Sequence, residues 1–480
     1  MNNFMKKIFI IILTTFIPFA FANAQKIWTL QNCIDYALAN NIQVKQQMLS
    51  EQLAKITLFQ SKTGLLPSLN AAASHAYNYG KTIDMYTNNF ATAKVQSDNF
   101  YLSSSVTLFS GFQLLNTVKQ NRIDLQASQY DLEKMMNDIS LNIATAYLQI
   151  LYDIEILNIA ESQLDITNQQ VIRTEKLVEA GTVAKGNLLT LEAQAATEDL
   201  TVVTAQNNLD LAYLTLTQML DITTTDSFDI DVPKLVIPAD SSLLTKPSAV
   251  YAIAMGVQPD IKSAELKVKS AEIGLSIAHG MRSPTISLRG SYGTGFSGAS
   301  KQLIPGSQQL SGLDTIGYTS EIIPAYVVSP HFSYQTETIP FGDQIKDNVN
   351  KSISFSLNVP IFNGWQTNAT ISKAKIAIQS AEYTLQTTKN TLYKSIQQAY
   401  ADAVAALNKY KSSQKSVAAL KEAYKYSEQK FNVGLVNTTD YNDAKNKLAE
   451  AESNLLQAKY EYVFRLKILD FYMGKPIELK

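Results

Sequence analysis

The sequence predicts a mainly α-helical chain with a small β part, in which one structural unit is used twice. Two runs, 112–180 and 365–433, contain neither glycine nor proline, and each is 69 residues long. Two landmarks recur at a single offset of 253 residues. Leu108-Phe109-Ser110-Gly111-Phe112 is answered by Ile361-Phe362-Asn363-Gly364-Trp365, and Glu179-Ala180-Gly181-Thr182-Val183 by Asn432-Val433-Gly434-Leu435-Val436. Stretches of alternating polarity stand ahead of each run, as in strands with one apolar face.

The first 24 residues read as a cleavable export signal. Lys6 and Lys7 give a basic start, and Ile8 to Phe21 an apolar core too short to span a bilayer comfortably. Ala22-Asn23-Ala24 then supplies a small-x-small cleavage site before Gln25. The formal charge is −1 for the full chain, and losing Lys6 and Lys7 takes it to −3. That balance gives no general attraction to nucleic acid or anionic lipid. Cys33 is the single cysteine, so no internal disulfide can form. It reads as a small apolar residue on a helix face. Beyond the signal, no apolar stretch is long enough for a transmembrane helix. Without one, an exported chain can enter a membrane only as a β-barrel.

In chain order, a leading helix is expected over about 31–63, with Asn40-Asn41 a candidate interruption. Pro67 marks the change from helix to strand. Strands follow over about 68–79 and 100–109, and Gly111 marks the return to helix. As a helix, the first glycine-free run would be about 100 Å long. Gly181 then makes a tight turn, and a shorter helix covers about 187–221. Residues 222–247, with Pro233, Pro238 and Pro247, connect the halves. The order repeats: a helix over 249–280 broken near Pro259, a changeover at Pro284, strands over 285–292 and 352–361, a return at Gly364, the second long helix, a turn at Gly434, and a helix over 438–473. The organisation is therefore a signal at 1–24, a first repeat at 25–221, a linker at 222–247 and a second repeat at 248–480. Apolar residues of the second long helix step by threes and fours, from Ile371, Ala374 and Ile378 to Ala399, Ala403 and Ala406, as in a coiled-coil seam that packs closely. The best strand is 352–361, where Ile353, Phe355, Leu357, Val359 and Ile361 alternate with polar residues and Pro360. The segment from Ser297 to about 350 reads as a long polar loop, of the kind found on the outer face of membrane barrels.

Four strands cannot close a barrel, since the smallest membrane barrels have eight. An open edge in lipid leaves backbone groups unpaired, so the chain must share a barrel with copies of itself. Two copies give eight strands and three give twelve; the sequence leaves both open.

The repeated units, with Leu65-Leu66-Pro67-Ser68-Leu69, Pro360-Ile361-Phe362-Asn363-Gly364, and Phe431-Asn432-Val433-Gly434-Leu435-Val436 followed by Asp440, resemble the TolC family of outer-membrane efflux proteins over nearly all the mature chain. The resemblance implies a homotrimer whose long α-helical tube is topped by a shared twelve-stranded β-barrel in the outer-membrane lipid, four strands per protomer. It implies a passive conduit of an efflux or type I secretion system, with a periplasmic adaptor and an inner-membrane pump as partners. Ala180, Gly181, Thr182, Val433, Gly434 and Leu435 would form the adaptor-docking tip. Asp440 and Asp443 would narrow the periplasmic entrance. They stand three residues apart and share a helix face, and a threefold axis would stack them as two carboxylate rings. Phe431 and Val436 replace the family's tyrosine and arginine near the second tip, and Asn187 and Thr190 stand in the first repeat where the second has Asp440 and Asp443.

No enzyme, cofactor or metal is expected. Gly293-Thr-Gly295-Phe-Ser-Gly298 has dinucleotide-site spacing, but loop sequence with Pro305 follows instead of a helix, so it reads as a flexible loop. His75, His279 and His331 show no ligand spacing, and His75 reads as an ordinary strand residue. The alternative function is a periplasmic coiled-coil adaptor that never enters the membrane. The paired alternating segments speak against it, because an adaptor has no need of membrane strands.

Overall fold

The computed structural model describes residues 27–91, 94–222, 228–233, 245–320, 322–323 and 325–478. The signal at 1–24 and much of the 222–247 linker lie outside them. In chain order the elements are β1 (Ile27–Trp28), α1 (Leu30–Asn40), α2 (Ile42–Thr63), β2 (Ser68–Asn78), β3 (Thr82–Ile83), β4 (Phe90–Ala91), β5 (Val95–Ser110), α3 (Gln113–Glu179), α4 (Lys185–Met219) and β6 (Asp229–Ile230). Then come α5 (Pro247–Val257), α6 (Pro259–Gly280), β7 (Thr285–Ser297), β8 (Lys301–Leu303), β9 (Gln309–Tyr318), β10 (Tyr326–Ser333), β11 (Thr336–Thr338), α7 (Phe341–Asp347), β12 (Asn350–Asn358), α8 (Gln366–Asn432) and α9 (Thr438–Tyr472). The long helices α3 and α8 have 67 residues each, and the shorter α4 and α9 have 35 each. Every one of these boundaries in the first half recurs 253 residues later. Both leading helices break where expected, at Asn41 and at Gln258 ahead of Pro259.

The chain forms two compact units: 1–54, 124–268 and 380–480 in the first, 55–123 and 269–379 in the second. The first is helical. Its main core gathers Cys33, Ala37, Ile143, Tyr147, Ile150, Leu151, Leu216 and Leu220, and a second cluster packs Ala399, Ala403 and Ala406 against Tyr462. Cys33 is fully buried, and burial pushes its thiol up to about 12. The two-residue strands β1 and β6 pair in parallel, and the Tyr147 hydroxyl donates to the carbonyls of Asp231 and Trp28 at 2.6 and 3.2 Å. By length and composition, one stretch of α3 is apolar enough to cross a bilayer, contrary to the expectation that none would be. That stretch is 56% buried within the fold, so its hydrophobicity serves the core.

The second unit is built on an antiparallel sheet in the order β12-β7-β5-β2. Its register divides apolar from polar side chains over most of the sheet, with exceptions that include His75, Asp98, Ser104, Thr294 and Lys351 on the apolar face and Val95 on the polar one. One face carries Leu69, Phe100, Leu102, Val106, Ile286, Leu288, Tyr292, Ile353, Phe355 and Leu357. The other carries Ser68, Asn70, Ser103, Ser105, Thr107, Ser287, Ser291, Ser352, Ser354 and Ser356. The polar face borders a hollow of about 850 Å³, where Ser68, Ser105, Ser287, Ser354 and Ser356 meet Thr63 and Pro67.

The changeover residues sit where the sequence placed them. Pro67 and Pro284 immediately precede β2 and β7. Gly111 and Gly364 both have positive φ (62° and 61°), as do the aromatic residues after them, Phe112 and Trp365 (62° and 67°). At Gly111 a Cβ would stand 2.5 Å from the Gly280 carbonyl oxygen, so only glycine fits.

Three expectations are corrected. The described residues of the 297–350 segment carry regular structure: β9 and β10 form a hairpin, β8 pairs with β11, and α7 follows. Gly293 and Gly295 lie inside β7, so they are not part of a flexible loop. A Cβ on Gly295 would meet the Tyr86 hydroxyl at 1.8 Å and the Asp98 carbonyl at 2.3 Å, so this glycine admits a close approach. His75 bonds through Nδ1 to the Asp98 carboxylate across the β2–β5 pair, which makes it more than an ordinary strand residue.

Candidate functional site

Two turns end the long helices, and both follow one physical recipe. At the first, Gly181 (φ 72°) lets its N–H reach the Val178 carbonyl and the Thr182 N–H reach that of Leu177, each at 2.9 Å. At the second, Gly434 (φ 79°) does the same with Phe431, and Leu435 bonds to Lys430, at 3.0 and 2.9 Å. These are Schellman caps, which satisfy the last carbonyls of a helix and need a left-handed residue. Both turns border one hollow of about 500 Å³, lined by Arg173, Leu177, Thr182, Phe431, Gly434 and Leu435 among others. Ala180, Gly181 and Thr182 are exposed. Val433 and Leu435 are 70% and 76% exposed, so two aliphatic side chains face water where burial would favour them.

Asn437 caps α9 by accepting the Asp440 N–H at 2.8 Å. That places Asp440 in the first helical turn, and Asp443 follows three residues on. Both are exposed. Asp443 is also paired with Lys447 at 2.7 Å, a partner the sequence reading passed over.

Phe431 and Val436 do not leave this end without ties. Phe431 stacks on Tyr441, with ring centroids 4.5 Å apart, and the buried Tyr441 hydroxyl meets that of Tyr424 at 3.0 Å. Arg173 of α3 donates to the side-chain oxygen of Asn432 at the end of α8.

Deeper in the same unit, α9 inserts Lys445 against α3 and α4. Its ammonium is 2% exposed and donates to both Glu198 oxygens at 3.0 and 3.1 Å, to the Gln163 carbonyl at 2.6 Å, and to the Thr167 hydroxyl. Burial holds its pKa below the ordinary lysine range, with Glu198 working against that shift. The sequence held a signal for this pair. Lys445 lies on the buried stripe Tyr441–Lys445–Leu448, and Glu198 on the stripe Leu191–Glu198–Ala205. A charge at a seam position of each of two helices points to a buried partner.

In the second unit, the loop after β2 folds onto β7. Asp84 accepts from the Ser297 hydroxyl, and from the Thr87 backbone and hydroxyl at 2.8 and 2.9 Å. Burial alone would raise its carboxyl pKa, but these hydrogen bonds outweigh it and hold the group below its usual range. Among the described residues, no three His, Cys, Asp or Glu side chains gather as a metal site.

The family described as outer membrane efflux protein matches over residues 33–221 and 250–475. The chain is 22% identical to the outer membrane protein TolC of Escherichia coli (strain K12) over 449 residues, covering 92% of this chain and 81% of that one. It is 21% identical to the outer membrane efflux protein BepC of Brucella suis, covering 91% and 83%. Among solved structures, the outer membrane protein VceC of Vibrio cholerae superposes with a TM-score of 0.73 at 16% identity, covering 94% and 97%.

Proposed function

The chain belongs to the outer membrane efflux protein family, and from that membership we propose that three copies close a twelve-stranded barrel and act as a passive conduit from periplasm to exterior. The observation behind this reading is the four-stranded sheet. Its outer strands, β12 and β2, each pair on one side only among the described residues. One of its faces is largely apolar and the other hydroxyl-rich. A bilayer tolerates no open edge, so identical neighbours are the natural partners for β2 and β12. Three such sheets make a ring of twelve strands, wide enough for a bore. The equal helix pairs and the common 253-residue offset support an internal duplication, with 25–221 and 248–480 as its halves and 222–247 as the linker.

In this reading the turns at Gly181 and Gly434 form the periplasmic tip. Ala180, Thr182, Val433 and Leu435 present it to a periplasmic adaptor, which links the conduit to an inner-membrane pump that supplies the energy. Asp440 and Asp443, repeated by the threefold axis, ring the entrance. Crowded carboxylates favour cations and resist joint ionisation, so the entrance responds to pH and divalent ions.

The test is direct. The processed protein is extracted from outer membranes in detergent, its mass is measured by light scattering, and it is reconstituted in planar bilayers. A trimer that conducts is expected. A stable, water-soluble monomer without conductance would overturn the proposal and favour the periplasmic scaffold.

A further inference from the structure

We propose that Arg289, repeated by the symmetry of the assembly, forms a cationic ring inside the barrel that binds anionic solutes, with phosphate-bearing molecules the favoured class. The proposal rests on the reading that the polar face of the sheet lines a shared barrel.

Arg289 is the single charged side chain on the polar face of the four paired strands. Every other position there is Ser, Thr, Asn, Ala, Gly, Tyr or, at the start of β5, Val95. Its lateral neighbours in register are Ser354 on β12 and Ser105 on β5, both neutral. The guanidinium is exposed and makes no hydrogen bond or ion pair among the described residues. It projects into the hollow lined by Ser105, Thr107, Ser287, Ser354 and Ser356. Identical copies bring identical faces, so no carboxylate from a neighbour's strands can neutralise it. The ring is therefore net positive by construction.

Its level in the sheet adds to its strength. On the opposite face at this height stand Val106, Leu288 and Phe355, the apolar band that faces lipid. A low-dielectric wall focuses the field of a charge into the water beside it. The guanidinium fork matches phosphate oxygens in pairs, and the surrounding hydroxyls can donate to the remaining ones. Rings of arginine or lysine are the standard physical means of favouring anions in a pore. The tip carboxylates act in series with this ring, and Lys447 already offsets part of their charge.

The experiment uses the full-length trimer in planar bilayers. Reversal potentials under a KCl gradient give the chloride-to-potassium permeability ratio, and tripolyphosphate added on one side probes block. One guanidinium across roughly 8 Å of water changes a monovalent ion's local concentration about twofold. Arg289→Gln should therefore lower the chloride preference by at least about twofold at low salt and weaken the tripolyphosphate block. Arg289→Lys should keep the ion preference but lose part of the block, because an ammonium lacks the fork. Ser354→Glu places a carboxylate beside an intact Arg289, and should reproduce the loss of preference without touching the arginine. Channels that form normally, with selectivity and block unchanged in Arg289→Gln and Ser354→Glu, would overturn the ring. Absence of channels from the unaltered protein would instead overturn the conduit itself.

Discussion

Removing either partner of the buried Lys445–Glu198 pair should loosen the helical unit, and removing both together should not. A buried ion pair broken from one side costs about 3–5 kcal/mol, because the remaining charge is stranded in the interior. The geometry favours the lower end of that range. Without Lys445, Glu198 still accepts from Thr167 at 2.5 Å and from Gln194 at 2.8 Å. Without Glu198, Lys445 still has the Gln163 carbonyl and the Thr167 hydroxyl. Each single variant, Lys445→Met or Glu198→Leu, should thus lose about 3 kcal/mol of local stability, which is roughly a hundredfold in opening probability. Hydrogen exchange of the full-length protein reads this directly. Amides over 160–170, 191–205 and 438–452 should exchange about a hundredfold faster in either single variant. In the double variant they should return to within about tenfold of the unaltered protein, since methionine and leucine fill similar volume with no charge to strand. Exchange in the double variant as fast as the product of the two singles would refute the reasoning.

Three further outcomes are expected. Asp440→Ala should alter conductance and its divalent sensitivity more than Asp443→Ala, because Lys447 already offsets Asp443; unchanged traces in the double variant would remove the entrance role. Leu435→Asp puts a charge on a side chain that is 76% exposed, so copurification with the adaptor should be lost while the trimer's thermal midpoint stays put; retained adaptor would count against the docking surface. Gly295→Ala forces a Cβ to within 1.8 Å of the Tyr86 hydroxyl and 2.3 Å of a backbone carbonyl. It should cost about 1–3 kcal/mol and expose the 82–91 loop to protease, and an unchanged digestion pattern would contradict the close packing.

The helical architecture was legible because long helices announce themselves by what they lack. With no glycine or proline between Phe112 and Ala180, nothing stops the helix, and the capping glycines then fix its end. The sheet was legible only in part. Clean alternation located β12, but β5 begins at Val95, well before the expected start, because Gln96-Ser97-Asp98-Asn99 is polar on both faces and erases the period. The β9–β10 hairpin is exposed nearly throughout, so no buried face imprints an alternation on it. Lys445 and Glu198 were missed for the opposite reason. Their positions are patterned, but a charge on an apolar stripe is normally counted as noise in the period.

The two halves agree in backbone and differ in chemistry. Helices α4 and α9 start and stop 253 residues apart, yet Asp440 and Asp443 answer Asn187 and Thr190, Lys445 answers Glu192, and Ala451 answers Glu198. Equal helix lengths are what a tube of even height requires, and a duplicated unit supplies them without tuning. Charges placed in one half only have a different consequence. In the proposed trimer the backbone would repeat six times, but Asp440, Asp443 and the buried Lys445–Glu198 pair would repeat three times. Alternate helix pairs of that assembly would be chemically distinct, and an adaptor or an ion meeting the proposed tip would encounter two kinds of surface in rotation. In that reading the pseudo-repeat would set the size of the conduit, while the departures from it would decide where the conduit is charged.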